Sequence, residues 1–503
     1  MRVALFQFSI LFIVVLFNHC WIFAHEQFFD GIIFWSVKNL PHVNSIDYFK
    51  HIFTNFSGHA GQYRPLGFFG YFYILGQLFD SNFILYSLVS LIIFTLTAYQ
   101  IKKWALFNFH NEKIAWFSAV LYIFAPATLF LVFDISCGGK YLLTSLILIY
   151  QLNYIDQKVI GEINFKNATI LFVLNLIAFL LHEGCLTFPI VILLYTLFRK
   201  KRVSFYYVIN FYPSILFIYF RFIVFKAPSS GIMHVGLNRL WENYSELSGV
   251  LWNPIFNLFN VGYLGSFSAL IIALIVFYKK RKYDLVLFFI MNLILISPFL
   301  FLDSHLKGNV ILKGAGWALI PTVIFVASSI NSLELTNRPK FLNGLLFSFL
   351  VIVNIFFYEI KKRIEPYLTE IEVIQKEYLA RIRTAIHKKD SEYIRITGAY
   401  YKFRGTPDIN NAITIYQSEN IPGMLLKYFP NQKFILTNSA RYNNEGVEME
   451  TLVQDGYYLY VLSREENRLL VVDRFNFQST LNQKIKADFE VFDFPEIDQA
   501  KFF

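Results

Sequence analysis

Residues 83–103 read FILYSLVSLIIFTLTAYQIKK and decide the class of fold. No Asp, Glu, Lys or Arg occurs in this stretch until Lys102 and Lys103 end it. A helix needs about 20 apolar residues to cross ~30 Å of hydrocarbon, so the stretch predicts a transmembrane helix. Comparable windows recur near 4–24, 83–101, 114–133, 141–155, 168–182, 185–198, 204–225, 254–278, 284–302, 316–330 and 341–359. The sequence therefore predicts a mainly α-helical, polytopic membrane protein with about 11 transmembrane helices.

Composition and charge agree with a membrane protein. Of 503 residues, 56% are hydrophobic and 19% are aromatic, with 58 Phe, which exceeds the usual share in soluble domains. The net charge is +10, and residues 361–503 carry 20 basic and 20 acidic side chains, so the whole excess lies on residues 1–360. Cys20, Cys137 and Cys185 lie in or beside apolar windows without metal-ligand spacing, which indicates packing residues rather than disulfides or a zinc site.

Basic residues in the loops predict the orientation, because cytoplasmic loops carry an excess of Lys and Arg. The clusters at 199–202 and 279–282 fall on the same side as the N-terminus, whereas the opposite loops hold basic residues singly. The N-terminus is therefore expected in the cytoplasm, with residues 3–24 as an uncleaved signal anchor rather than a cleaved signal peptide. The basic residues 361–363 follow the last window on the outer side and fit this rule poorly.

The sequence predicts two domains, a transmembrane domain at 1–360 and a small α/β domain at 361–503. The second begins with the helical pattern IEPYLTEIEVIQKEYLARIRTAI and continues into strand patterns such as YYLYVLS and RLLVVDRFNF. With 11 spans it is extracytoplasmic, and a miscount by one span would place it in the cytoplasm.

The first outer loop, within 25–82, concentrates ionisable residues. Residues 25–64 contain Glu26, Asp30, Asp47, four histidines and Arg64. Residues 65–79 have helical periodicity, but 15 residues cover only ~22 Å, so a helix lying along the outer leaflet fits better than a crossing.

Several stretches in a fixed order resemble a known family. A carboxylate after the first window precedes YRPL (63–66) and the turn FDSN (79–82); IAWFSAVLYIFAPATLFLVF (114–133) and FLLHEGCLTFPIVILLY (179–195) follow. Together they resemble C-type (GT-C) glycosyltransferases, and most of all the protein O-mannosyltransferase-like members. The resemblance covers about the first 200 residues well and the later spans only in pattern, and the TPR repeats of eukaryotic members are absent.

The resemblance implies transfer of a sugar from a polyprenyl-phosphate carrier to an acceptor on the outer side, with a carboxylate base in the first outer loop. Asp30 occupies that place. A carboxylate within hydrogen-bond reach can remove the proton of an attacking hydroxyl, and an inverting displacement then releases phosphate. Many members have two adjacent acids here, whereas this chain has Phe29 beside Asp30, so Glu26, one turn earlier, is the second candidate. Without the resemblance, Asp30 would read as a helix cap or a solvated carboxylate.

The carrier phosphate needs cations at the outer surface, and Arg offers a planar fork for its oxygens. The candidates on predicted outer segments are Arg64, Arg221, Lys140, Lys307 and Lys313. Snorkelling is the alternative for Arg221, and loop solvation is the alternative for the last two lysines.

Four more residues are candidates for contacting the acceptor or supporting the site: His182, Glu183, Asp134 and His305. Adjacent helical residues diverge by ~100°, so His182 and Glu183 can face one ligand only if the helix unwinds locally; a structural pairing of Glu183 with a cation is the alternative. No ligand cluster indicates a metal, so no cofactor is expected to be required, although a divalent cation is compatible with Asp134 or Asp303.

The expected partners are the lipid-linked donor, a glycan, lipid or protein acceptor, and membrane lipids. Nucleic acid is not expected, and no GxGxxG or GxxxxGK[ST] loop for a nucleotide occurs. A lipid-linked oligosaccharide flippase or other transporter and an O-antigen polymerase or ligase are the alternative functions. The abundance of Phe, Ile, Asn, Lys and Tyr is typical of a low-GC bacterium, so a role in the cell envelope and a location in the inner (plasma) membrane are expected.

Overall fold

The computed structural model describes residues 2–24, 64–79, 82–133, 138–199, 201–219, 237–256, 262–280, 283–300, 309–332 and 339–388, and in the C-terminal part mainly the strands between 393 and 498. The described chain is mainly α-helical, as predicted. Its α-helices are α1 (Arg2–His19), α2 (Tyr71–Phe79), α3 (Phe83–Phe109), α4 (Glu112–Phe124), α5 (Thr128–Phe133), α6 (Leu143–Lys158), α7 (Phe165–Leu181), α8 (Phe188–Phe198), α9 (Tyr212–Ile218), α10 (Leu237–Phe256), α11 (Gly262–Lys280), α12 (Asp284–Leu300), α13 (Asn309–Ser332) and α14 (Pro339–Lys388).

Short 3-10 or π segments extend several of these helices. They are Cys20–Ala24, Pro65–Gly70, Gly138–Leu142, Glu183–Thr187 and Phe205–Phe211. The helical pattern predicted for 65–79 is therefore present, as a π-helical turn followed by α2.

The helices differ from the predicted windows at three places. Residues 237–253 were expected in an outer loop but form α10, in which Leu247, Leu251 and Trp252 are buried. The window 114–133 is split between α4 and α5 around Pro126. The window 341–359 belongs to α14, a helix of 50 residues that includes the helix predicted separately after residue 361.

Three helical stretches in the described chain are long and apolar enough to cross a membrane: Arg2–Ala24, Phe83–Phe109 and Lys340–Glu359. Shorter apolar helices of 10–17 residues accompany them, for example Phe165–Leu181 and Asp284–Leu300. The chain thus has the helices of a membrane protein.

Contacts divide the chain into two units. The first contains Met1–Phe23, His59–Gly67 and Ser87–Lys362, and the second contains Ala24–Gly58, Phe68–Tyr86 and Arg363–Phe503.

In the first unit, the loops rich in Lys and Arg meet at one end of the helices, which we call the basic end. Here Lys113 Nζ donates to Asn343 Oδ1 (2.9 Å), and the rings of Phe198 and Tyr283 are 6.4 Å apart. These contacts join the start of α4 to the start of α14 and the end of α8 to the start of α12. Segments separated by up to 230 residues therefore share this end.

A polar network ties three helices together at the basic end. Arg199 Nε lies 3.2 Å from Asp156 Oδ1, and Arg199 Nη2 donates to Asn108 Oδ1 (2.7 Å). The Tyr195 hydroxyl donates to Asp156 Oδ2 (2.5 Å) and accepts from Trp104 Nε1 (2.8 Å). Each of these polar side chains has a hydrogen-bond or ion-pair partner in the network. Arg199, which belongs to the basic cluster 199–202, can therefore pack against α3, α6 and α8.

Other contacts gather the opposite ends of the helices. The His19 ring packs edge-on against Phe357 at 5.4 Å, and Lys361 Nζ lies 5.6 Å above the Trp21 ring. The end of α1 therefore lies beside residues 357–361 of α14.

Between the two ends, buried side-chain amides link neighbouring helices. Gln151 Nε2 of α6 donates to Asn175 Oδ1 of α7 (2.9 Å), and Asn175 Nδ2 donates to Asn210 Oδ1 (2.8 Å). Lipid tails are as apolar as the side chains, so the hydrophobic effect does not drive helices together in a membrane. Hydrogen bonds between side chains, such as these, contribute to helix association there.

The C-terminal part contains the predicted strands. A seven-stranded sheet has the order β10-β3-β5-β6-β7-β8-β9. The strand β10 pairs in parallel with β3, which pairs in parallel with β5, and the remaining neighbours are antiparallel. The patterns YYLYVLS and RLLVV form β7 and β8. Among the described residues, the strands are β1 (Glu162–Ile163), β2 (Arg202–Val203), β3 (Tyr393–Thr397), β4 (Phe403–Arg404), β5 (Lys433–Tyr442), β6 (Glu448–Gln454), β7 (Tyr457–Glu465), β8 (Arg468–Val472), β9 (Ser479–Lys484), β10 (Ala487–Val491) and β11 (Ile497–Asp498).

The turn between α6 and α7 depends on a glycine. Gly161 has φ +71°, a left-handed conformation in which a Cβ is disfavoured, and its carbonyl accepts from the Arg202 backbone N–H at 3.0 Å. This bond starts the parallel pairing of β1 with β2.

Replacing Gly161 by Ala is expected to destabilise the protein by about 1–2 kcal/mol, because the left-handed backbone strains a Cβ. Gly344→Ala is the matched control, since a Cβ there meets nothing within 4 Å and the residue lies inside α14. It should be neutral or stabilising by up to about 1 kcal/mol. Unfolding free energies in detergent measure both, and equal effects would contradict this role for Gly161.

Candidate functional site

An ion pair near the end of α7 is the centre of the candidate site. Arg64 Nε donates to Glu183 Oε2 (2.6 Å) and Arg64 Nη2 donates to Glu183 Oε1 (2.7 Å). The Arg64 and Glu183 side chains are only 11% and 17% exposed. A two-pronged pairing of this kind fixes the plane of the guanidinium.

The local backbone explains how residues 119 positions apart in the sequence come together. Pro65–Gly70 forms a π-helical turn directly after Arg64. A Cβ on Gly67 would lie 1.9 Å from the Leu181 carbonyl oxygen, so only glycine permits this approach to the last residue of α7. The YRPLG stretch is thereby held beside Glu183.

The helix unwinds where His182 and Glu183 occur. α7 ends at Leu181, His182 is extended at φ −159° and ψ 125°, and a 3-10 turn then runs from Glu183 to Thr187. His182 and Glu183 could face one ligand only if the helix unwinds locally, and this unwinding is present. His182 Nδ1 lies 3.8 Å from Glu183 Oε2.

Hydrogen bonds define the proton on His182. The Gly184 backbone N–H donates to Nδ1 at 2.9 Å, so Nδ1 is an acceptor. A neutral ring then carries its proton on Nε2, which lies 3.2 Å from the Tyr141 hydroxyl and donates to it. In this arrangement His182 is a fixed donor rather than a base.

Aromatic rings surround His182. Trp317 lies edge-on to it, with centroids 4.9 Å apart, and Tyr141 lies 5.5 Å from Trp317. Trp317 Nε1 donates to Thr144 Oγ1 at 2.6 Å. The start of α6, the unwound segment and α13 therefore pack around one imidazole.

Lys140 brings a second cation to this end. It precedes Tyr141 in the π-helical turn Gly138–Leu142, its residue is only 2% exposed, and it interacts electrostatically with His182. Arg64 and Lys140 thus bring two largely buried cations to the same end of the helices. Such a buried cationic group is suited to an anionic ligand.

Glu183, which lies between the predicted spans 168–182 and 185–198, remains ionised. Burial by itself would raise the pKa of its carboxyl, but the Arg64 guanidinium outweighs this effect and lowers the pKa from 4.5 to about 2. The ion pair therefore persists at neutral pH.

The structure brings together four of the predicted site residues: Arg64, Lys140, His182 and Glu183. Six others lie outside the described residues: Glu26, Asp30, Asp134, Arg221, His305 and Lys307. Lys313 was predicted in a loop, but α13 begins at Asn309 and includes it; the apolar residues 310–312 continue the helix toward its N-terminus.

Sequence reasoning missed Tyr141, Thr144 and Trp317. Tyr141 directly follows the candidate Lys140, so its place near the site could have been predicted from the sequence. Trp317 stands in an apolar window, and nothing in its spacing indicates a contact with His182. Within the described ranges, no three His, Cys, Asp or Glu residues are grouped as a metal site would require.

No protein family model, no curated protein and no solved structure matches this chain.

Replacing Glu183 by Gln is expected to lower the unfolding free energy by about 3 kcal/mol, because it leaves a largely buried guanidinium without its carboxylate. Glu242→Gln is the matched control: Arg239 and Glu242 also form an ion pair at 2.7 Å, but the Glu242 side chain is 59% exposed. That change should cost less than about 1 kcal/mol. Similar losses in both variants would show that burial does not strengthen the first pair.

The pH dependence of stability should report the same pair. Because the folded pKa of Glu183 is below its unfolded value of 4.5, its contribution is fully present above about pH 4.5 and is lost as the pH falls toward about 2. Between about pH 6 and about pH 3 the wild type should therefore lose more stability than Glu183→Gln. Parallel pH profiles would contradict an ionised Glu183.

Proposed function

We propose that the chain is an integral-membrane glycosyltransferase of the GT-C type, which moves a sugar from a polyprenyl-phosphate carrier to an acceptor hydroxyl on the extracytoplasmic face. The observation that carries the proposal is the convergence of Arg64 and Lys140 beside Glu183 at one end of the helices. Both cations were named as phosphate ligands from the sequence, although they are 76 positions apart.

The ion pair suits Arg64 to the carrier phosphate. Glu183 accepts from Nε and Nη2, which fixes the orientation of the guanidinium beside Lys140. Lys140 adds charge without a directional requirement. Arg221 and Lys307 or Lys313 are the further proposed cations.

In the proposed reaction, Asp30 accepts the proton of the acceptor hydroxyl, with Glu26 as the second candidate. The acceptor oxygen attacks the anomeric carbon from the face opposite the phosphate. The bond between the anomeric carbon and the phosphate oxygen breaks, and its electron pair leaves with the carrier phosphate. Cations positioned in advance stabilise the charge that develops on this leaving group.

The proposed architecture has about 11 transmembrane helices, a cytoplasmic N-terminus and an extracytoplasmic α/β domain at 361–503. Two observations support it: the starts of α4 and α14 meet at the basic end, and the end of α1 lies beside residues 357–361 of α14. The proposed setting is cell-envelope glycan synthesis or protein glycosylation in a bacterial inner membrane. His182, Asp134 and His305 are proposed to support the site or contact the acceptor.

The test supplies radiolabelled polyprenyl-phosphate sugars to the purified protein and measures both transfer and donor binding. Asp30→Asn should lower transfer at least about a hundredfold, the usual contribution of a general base, while donor binding persists. Asp47→Asn is the matched control, since it makes the same change in the same loop and should leave transfer intact.

Arg64→Gln should separate binding from proton transfer. We expect it to weaken donor binding by about tenfold or more, because a charged hydrogen bond to phosphate contributes ~1.5–3 kcal/mol. Absence of transfer with every donor, or full activity of Asp30→Asn, would contradict the proposed function.

A further inference from the structure

A rigid surface at the basic end exposes apolar side chains. We call it the basic platform and define it as residues 158–166 and 201–206. Within it, Ile160 is 92% exposed, Phe205 85% and Phe165 60%. Large apolar side chains grouped in this way on a surface mark a site of contact with a lipid or a protein.

The platform is held in place by the backbone around it. β1 pairs in parallel with β2, Ser204 Oγ donates to the Ile163 carbonyl (2.7 Å), and Lys201 Nζ donates to the Val159 carbonyl (2.6 Å). Val159 and Ile163 are buried, at 1% and 0% exposure, whereas Ile160 between them projects outward. The exposed side chains are therefore presented by an anchored turn.

Cations surround the exposed apolar side chains. Lys158, Lys166 and Arg202 are exposed, and Glu162 is the single acidic residue within the two segments. Lys201 donates to the Val159 carbonyl and so stabilises the turn. Arg199, which lies outside the platform, is paired with Asp156. Three exposed cations thus flank the apolar tips.

The position along the helices indicates the height of the platform relative to a membrane. Its first segment joins the end of α6 to the start of α7, and its second follows the end of α8. Phe165–Leu181 and Glu183–Phe198 are apolar helices. The ends of apolar helices in a membrane lie where hydrocarbon meets headgroups, and a surface of aromatic and aliphatic side chains with Lys and Arg is suited to that zone.

We propose that the basic platform is a binding site for anionic phospholipid headgroups of the adjacent leaflet. Lys158, Lys166 and Arg202 contact the phosphates, while Ile160, Phe165 and Phe205 insert among the upper acyl segments. Lipid is favoured over a protein partner because the exposed side chains stand at the ends of apolar helices and the charge is almost purely positive. The proposal is independent of the catalytic proposal, which concerns the opposite end.

The test compares full-length protein in nanodiscs that mix phosphatidylglycerol with phosphatidylcholine, and measures by mass spectrometry which lipids remain bound after transfer to detergent. The wild type should retain phosphatidylglycerol preferentially. Each surface cation contributes about a fivefold preference for anionic lipid, so the triple variant Lys158→Gln/Lys166→Gln/Arg202→Gln should lose most of it. Lys362→Gln/Lys376→Gln/Arg383→Gln, the matched control, removes the same charges from exposed positions elsewhere and should keep it.

A second measurement reports depth. A nitroxide on Ile160→Cys, in a background with Cys20 and Cys137 replaced by Ser, should be shielded from a water-soluble nickel chelate. A label on Ile271→Cys of α11 provides the lipid-facing reference, and one on Val373→Cys provides the water-facing reference; these residues are 53% and 58% exposed.

A triple variant that retains lipid as the wild type does would overturn the proposal. Accessibility at residue 160 equal to that at residue 373 would do the same, because the platform would then face water rather than lipid. Loss of sugar transfer in the Asp30 or Arg64 variants bears on neither measurement, so the two proposals fail separately.

Discussion

A helical bundle in hydrocarbon must provide internal partners for its polar side chains, because lipid offers no hydrogen bonds. This constraint organises the first unit. Gln151 donates to Asn175 and Asn175 donates to Asn210 between helices, and Asp156 and Arg199 form a network with neighbouring donors at the basic end. At the opposite end, the pairing of Arg64 with Glu183 joins the segment after the first loop to the end of α7.

The pairing of Arg64 with Glu183 depends on a break in regular structure. If α7 continued without interruption, His182 and Glu183 would point about 100° apart. The extended residue at 182 and the 3-10 turn after it let the carboxylate meet Arg64 while the imidazole packs among Tyr141 and Trp317. Irregular backbone within a membrane protein requires protein around it. The close approach of Gly67 and the packing of α13 supply those surroundings.

The two ends of the bundle differ in how their charges are used. Cations at the Glu183 end are largely buried and oriented by partners, which suits selective contact with one anionic ligand. In the basic platform, three cations lie exposed beside apolar tips, which suits many similar headgroups. A buried charge binds selectively, because its desolvation cost is recovered only by a ligand with the correct geometry. An exposed charge attracts any anion of similar charge and so discriminates little between ligands. In the two proposals, the same residue types therefore have different roles.

The sequence alone determined the features that depend on local pattern. Runs such as 83–101 predicted helices because apolar length and periodicity are local, and the alternation in YYLYVLS predicted a strand for the same reason. Arg64, Lys140, His182 and Glu183 could be named from residue type and position, but the pairing of Arg64 with Glu183 across 119 positions could not, because helical periodicity does not encode partners. Tertiary structure also decided that 237–256 is a helix, since its mixed polar and apolar residues become favourable only when Leu251 and Trp252 are buried against other helices. It decided that Ile160 projects outward while Val159 and Ile163 do not, because that depends on the left-handed Gly161 and the pairing of β1 with β2.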